Sequence, residues 1–195
     1  MKKIIDIMMM VLLLLLMAFP FTGVNIHIFL GIMMMICFII HHYLNKNWYR
    51  HLFKGKQTKI KILFIFINTL LIFNVILVAL SGLTLAGYVP FIPYFLARKI
   101  HLVCSYWSYL LMGLHVGLHL QVMKYIKNKL IAYMLVILSV ILLIKNQLFV
   151  YLFNLSDFLY ISDQMNIFIY IIEYFLMFMV FVFLMNEVVK EMKKG

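Results

Sequence analysis

Charge is scarce in this chain, and acidic charge scarcest of all: Asp and Glu number 6 in 195 residues, against 17 Lys and Arg. The long apolar runs carry almost none of it. A soluble domain is normally about half apolar, whereas this chain is 67% apolar with a mean hydropathy of +1.09. That balance excludes an ordinary soluble domain and assigns the chain to a membrane. Strands of a membrane barrel would alternate apolar and polar residues; these runs do not, so they are expected to be helices. The expectation is an all-α, polytopic bundle of about six transmembrane helices over residues 7–22, 24–44, 60–88, 99–123, 129–145 and 166–186, with no separate soluble domain left over.

Other absences narrow the function. Cysteine is limited to Cys37 and Cys104. Both fall inside spans, where they are expected to be small apolar fillers rather than a disulfide, so they carry no information on redox compartment. Lys2 and Lys3 precede the run from Met8 to Met17 in the manner of a signal peptide, but no small-x-small cleavage site follows, because Ala18-Phe19-Pro20-Phe21 is bulky. The first span is therefore expected to be a retained helix. There is no nucleotide-binding glycine motif, nucleophile triad or flavin-attachment domain, which argues against a self-contained oxidoreductase; catalytic residues are not expected. A transporter would need a polar path, and Asn68, Asn74 and Glu173 are too few to line one.

The net charge of +11 does not point to nucleic acid, because the basic residues alternate with the spans. Lys2 and Lys3, then Lys46, Arg50, Lys54, Lys56, Lys59 and Lys61, then Lys124, Lys127 and Lys129, then Lys190, Lys193 and Lys194 make fourteen of the 17. Only Arg98, Lys99 and Lys145 fall on the other side. By the positive-inside rule both termini are expected in the cytoplasm, with anionic lipid as the main partner of the charge; the expected location is the bacterial cytoplasmic membrane.

Against this background the histidines stand out. His27 and His41 have thirteen residues between them, and so do His101 and His115. At about 100° per residue, fourteen steps return a helical side chain to within about 40° of its starting face, about 21 Å further along the axis. Each helix thus shows two imidazoles on one side, one for each leaflet of a hydrocarbon core about 30 Å thick. Both His-bearing spans run outside to inside, which puts His27 level with His101 and His41 level with His115. Imidazole is costly in lipid unless partnered. Two such helices side by side supply two axial pairs, enough for two b-type haems stacked across the bilayer.

The surroundings repeat as well. Gly31 lies one turn after His27 and Ser105 one turn after His101, small residues that would leave clearance for a porphyrin face. Thr22-Gly23 and Ser81-Gly82 also correspond, so spans one and two read as a duplicate of spans three and four. The bland alternative, a lone histidine hydrogen-bonded to a neighbouring helix, does not account for four at matched spacing. A zinc or copper site would cluster its ligands around one centre, whereas these separate into two levels. His42 points about 60° off the face of His27 and is the weaker candidate. His119 shares the face of His101 and competes with His115 as inner ligand; the matched spacing favours His115. His51 is expected in solvent. Gly113 and Gly117 face about 160° away from His115, which suits close packing on another helix. Glu173, the only carboxylate well inside a predicted span, is a candidate for proton handling or a tilted helix end. Arg98 and Lys99 outside, and Lys46, Arg50 and Lys124 inside, are candidates to neutralise propionates. Trp48, Trp107 and the tyrosines are expected to anchor and pack.

With these residues together, the chain resembles the flavinylation-associated cytochrome family of small transmembrane di-haem b-type cytochromes. The resemblance covers about residues 5–125. It rests on Thr22-Gly23, His27, the stretch His41-His42-Tyr43-Leu44-Asn45-Lys46-Asn47-Trp48-Tyr49, Ser81-Gly82, and His101 through Tyr106-Trp107 to His115-Val116-Gly117-Leu118-His119. It implies b haems between these histidines and an extracytoplasmic partner bearing covalent flavin. Ile28 and Phe29 stand where many relatives have an acidic residue and a tryptophan, which removes a polar neighbour from the outer site.

The expected organisation is a four-helix di-haem core over 1–125, followed over 126–195 by two further membrane helices and a basic tail. The expected function is electron transfer from the membrane quinone pool, through two bis-histidine haems, to an extracytoplasmic flavoprotein or similar acceptor. The alternative is a haem-binding membrane scaffold or sensor without through-membrane electron flow.

Overall fold

The computed structural model describes residues 2–120, 129–156 and 166–194. Among them there is no strand. The helices are α1 (Lys2–Met17), α2 (Phe19–Leu44), α3 (Lys46–His51), α4 (Lys59–Leu85), α5 (Tyr94–His119), α6 (Lys129–Lys145), α7 (Leu148–Leu152) and α8 (Ile167–Met192). Three of them, α2, α4 and α8, are long and apolar enough to cross a membrane, with mean hydropathies of 2.3, 2.7 and 2.5. The described residues are thus all-helical, with three segments suited by length and composition to cross a membrane. The apolar part of α6, Ala132–Lys145, is shorter, and α1 has 16 residues. α5 is as long as α2, but its histidines, serines and tyrosines dilute its apolar character.

Local chemistry explains the ends. The first predicted span divides at Ala18, and its last residues belong to α2, whose first turn holds Pro20, where a missing N–H costs nothing. Gly23 then breaks that helix with φ +74°, a conformation open to glycine. Thr58 starts α4 by accepting from the Lys61 N–H through its hydroxyl at 3.3 Å, and Asn166 starts α8 by accepting from the Phe168 N–H at 2.8 Å. Gly87, with φ +76°, closes α4: its N–H donates to the Thr84 carbonyl and that of Tyr88 to the Leu83 carbonyl, a Schellman ending. α5 stops at His119, short of the predicted 123. There Asn186 of α8 donates to the Gly117 and Leu120 carbonyls, both at 2.7 Å, and satisfies the helix end.

The bundle is organised around α5. One side of it packs on α8 in parallel, as Tyr106 Oη meets Tyr174 Oη, Gly113 meets Phe181, and Gly117 meets Val182 and Met185. A Cβ on Gly113 would come within 2.8 Å of Phe181 Cβ, and one on Gly117 within 2.6 Å of the Val182 carbonyl oxygen. The small-xxx-small pair therefore makes the close seam that its helical angle suggested, and α8 is its partner. The main buried cluster gathers Leu13 and Met17 of α1, Tyr109 of α5, Leu143 of α6, Leu148 of α7, and Phe178 and Val182 of α8. Both chain segments thus share one core. The boundary expected at 125/126 lies outside the described residues.

α4 lies antiparallel along α5, and α1 antiparallel along α2. Part of the stretch between the fifth and sixth expected spans forms α7, and Trp107 donates from Nε1 to the Leu152 carbonyl at 3.0 Å, so this indole fastens α7 to α5. Lys124, Lys127 and Asp157 lie outside the described residues. Cys37 and Cys104 are buried and unbonded to each other.

Candidate functional site

The two hairpins bring the four histidines together as two pairs. His27 and His101 face each other with ring centroids 6.0 Å apart, and His41 and His115 with centroids 6.5 Å apart. One pair sits toward the start of α2 and α5 and the other toward their ends, as parallel helices with matched spacing require. Two imidazoles bound end-on to one metal, with metal–nitrogen bonds of about 2 Å, have ring centres about 6 Å apart. The ring planes are inclined at 76° and 74°, edge to face.

Which ring nitrogen is available depends on what holds the other. His41 Nδ1 lies 2.8 Å from Asp6 Oδ1, His115 Nδ1 lies 2.6 Å from Asn68 Oδ1, and His101 Nδ1 lies 3.1 Å from the Val78 carbonyl and 3.3 Å from Ser81 Oγ. The carboxylate and carbonyl oxygens are acceptors only, so in each case Nδ1–H is the donor. That leaves the Nε2 lone pair free, the tautomer of a metal-binding imidazole oriented by a second residue. His27 Nδ1 is buried without a hydrogen-bond partner among the described residues; the Leu16 carbonyl near the end of α1 approaches this ring outside bonding geometry. An orphaned buried ring nitrogen is itself a reason to look for a ligand.

The extra histidines separate from these four. Burial pushes the Tyr49 phenol up, so it keeps its proton. It is hydrogen-bonded to His42 Nδ1 at 2.5 Å, which occupies that ring nitrogen, and neither facing pair includes His42. His119 is exposed, packs edge-on against Phe64 with centroids 4.9 Å apart, and lies 4.8 Å from His115. His115, not His119, forms the ring contact with His41. His51 donates from Nδ1 to the Asn47 carbonyl at 2.8 Å on the surface.

The small neighbours take different parts. A Cβ on Gly31 would meet nothing within 4 Å, so the face beside His27 is open. Ser105 donates to the His101 carbonyl at 2.6 Å. Gly82 lets His101 lie against α4, since a Cβ there would sit 3.2 Å from His101 Cε1. The Ser81-Gly82 motif thus seats an imidazole, while Thr22-Gly23 ends a turn. Glu173 is buried and carries two partners, Lys145 Nζ at 2.5 Å and Asn146 Nδ2 at 2.9 Å. Of the two readings its position allowed, proton handling or a tilted helix end, neither is decided by this contact, which ties α8 to the end of α6.

Asp6 and Asn68 are the site residues that sequence reasoning missed. Asp6 is the only acidic residue before Asp157. It lay just outside the predicted first span, whereas α1 begins at Lys2 and includes it. Asn68 was weighed only as a pore lining.

The donor set at each level is two imidazoles. Among the described residues no group of three or more His, Cys, Asp or Glu gathers to hold a metal ion. His27 with His101, and His41 with His115, would be the residues to hold a haem if one binds, since two imidazoles per iron is a known haem donor set. Comparison with family models, curated proteins and solved structures finds no match to this chain. The resemblance to flavinylation-associated cytochromes rests on its motif residues alone.

Proposed function

We propose that the chain is a transmembrane electron-transfer protein: six membrane helices, of which α1, α2, α4 and α5 hold two b-type haems. His27 and His101 would hold the outer one, His41 and His115 the inner. The observation that carries this reading is the approach of those four rings as two pairs, each at the spacing of two axial ligands to one metal. When bound, haem supplies reversible one-electron exchange at iron. The chain supplies oriented imidazoles, fixed by Asp6, Asn68 and Val78.

The membrane quinone pool is the donor, because a quinol is already dissolved in the bilayer. The acceptor is an extracytoplasmic flavoprotein or similar protein, nominated by the family resemblance and docking near Arg98 and Lys99 at the exposed start of α5. Both termini lie on the inner side of the bacterial cytoplasmic membrane in this reading; the orientation rests on the division of the basic residues, fourteen to three.

Purified protein is expected to show a low-spin b-type spectrum with about two haems per chain. In membrane vesicles a quinol analogue should reduce both, and an external acceptor should reoxidise them. His101→Ala should abolish reoxidation while some quinol reduction remains. Full reoxidation in that variant would leave a haem-binding scaffold as the better reading. Cysteines placed at Gln57 and Ser156 should label from opposite sides, and labelling from one side would overturn the orientation.

A further inference from the structure

The two histidine pairs are held by different chemistry. At the inner pair, His41 donates to a carboxylate, Asp6 Oδ1 at 2.8 Å, and His115 donates to an amide oxygen, Asn68 Oδ1 at 2.6 Å. At the outer pair every oxygen near the rings is neutral: the Val78 carbonyl at 3.1 Å and Ser81 Oγ at 3.3 Å for His101, and no bonded partner for His27 Nδ1 among the described residues. The Ser81 hydroxyl is moreover committed to the Leu77 and Val78 carbonyls at 2.6 and 3.1 Å. A full negative charge on one Nδ1–H makes the imidazole more electron-donating than a neutral oxygen does, and a more basic axial ligand favours the oxidised metal.

We infer that Asp6 is a positioning residue that sets the inner haem at the lower potential, so that electrons run downhill from the cytoplasmic to the extracytoplasmic side. This rests on the haem reading above and adds the direction of flow and the residue that imposes it. Asp6 is well placed for the task. It is the only acidic residue in the first 156 positions, so no second carboxylate in the two hairpins blurs the contrast. It lies on α1 while its histidine lies on α2, and the Lys2 ammonium donates to Asn45 Oδ1 at 3.3 Å one turn beyond His41, so the hairpin ends are tied at the right register. Basic side chains flank both levels, Lys46 and Arg50 within, Arg98 and Lys99 without. All four are exposed, and so is about half of the Asp6 side chain, but Asp6 alone touches a ligand ring, at 2.8 Å from His41 Nδ1, where screening is weakest.

The test is a spectroscopic redox titration of the purified, haem-loaded full chain. Wild type should give two midpoints, with the lower assigned to the inner haem because it alone remains in His101→Ala. Asp6→Asn should raise the lower midpoint and leave the upper unmoved, closing the gap between them. Asn68→Asp, which adds a charge on the other inner ligand, should move the same midpoint down. Haem titration into the unloaded protein gives an independent readout: Asp6→Asn should weaken the inner site about 10–100-fold, the usual effect of losing a partner behind a ligand. If Asp6→Asn retains both haems and leaves the lower midpoint in place, or if the lower midpoint belongs to the outer haem, the inference is overturned while the di-haem reading stands. A chain that binds no haem at all overturns the di-haem reading first.

Discussion

α2 and α5 carry histidines at the same spacing and in the same direction, yet they are supported in opposite ways. α5 buries Ala97, Cys104, Tyr106, Ser108, Tyr109, Leu111, Gly113, Gly117 and Leu118 between α4 and α8, whereas α2 buries only Cys37. α2 leans on α1 and keeps Phe29, Ile32, Ile36 and Ile39 exposed. One helix is a fixed wall and the other a partner hung opposite it. A cofactor gripped between them would therefore be positioned by α5 and would in turn hold α2. A sequence duplication can copy ligands without copying the packing that supports them.

The largest effect should come from filling the α5–α8 seam. Gly117→Leu would drive a side chain into the Val182 backbone, where even a Cβ meets the carbonyl oxygen at 2.6 Å. Overpacking of that kind costs about 3 kcal/mol or more where backbone must move. Loss of folded protein on thermal unfolding in detergent, with both haems lost together, is the expected result. A normal melting curve would mean that α5 is not the wall described here.

Next in size is the loss of one haem without loss of fold. His115→Ala should remove the inner haem and leave the outer, since His115 faces His41 across 6.5 Å. His119→Ala, at the exposed end of the same helix, should leave both haems in place by absorbance and haem assay. The reverse pattern would move the inner ligand one turn along α5 while leaving two levels intact.

The smallest effect on the chain should be on the α2 side. Gly31→Leu meets no neighbour at Cβ within 4 Å, and a half-buried helical glycine with such open space gains up to about 1 kcal/mol of helix propensity when replaced by leucine. Stability of the haem-free protein should therefore hold or rise. Occupancy of the outer haem should nonetheless fall, because the new side chain takes the clearance beside His27. Unchanged haem content would show that the open face at Gly31 looks onto lipid instead.

Periodicity made much of the site legible. The thirteen-residue intervals fixed the face and level of each histidine, and the angle between Gly113 and His115 put the close-packing stripe on the opposite side. These are properties of a single helix. The partner of that stripe, the donor behind each imidazole and the fate of Glu173 were not legible in the same way. Asp6 reaches His41 across 35 positions, and Asn68 reaches His115 across 47. Nothing periodic links such residues. The scarcity of acid in the first 156 positions was the one available signal for Asp6, and placing the first span five residues late hid it.

Composition and pattern by themselves determined that this chain is helical, that it belongs with a membrane, and that its histidines come in two levels, because each follows from the rise, twist and solvation of a single apolar helix. Tertiary structure alone decided that α8 closes on α5, that Glu173 is neutralised by Lys145, and that one imidazole at each inner position is backed by Asp6 or Asn68. Those contacts depend on which helices lie side by side and at what register. That outcome is set by the fit of glycine seams and buried tyrosines across the whole bundle, and no local stretch of sequence contains it.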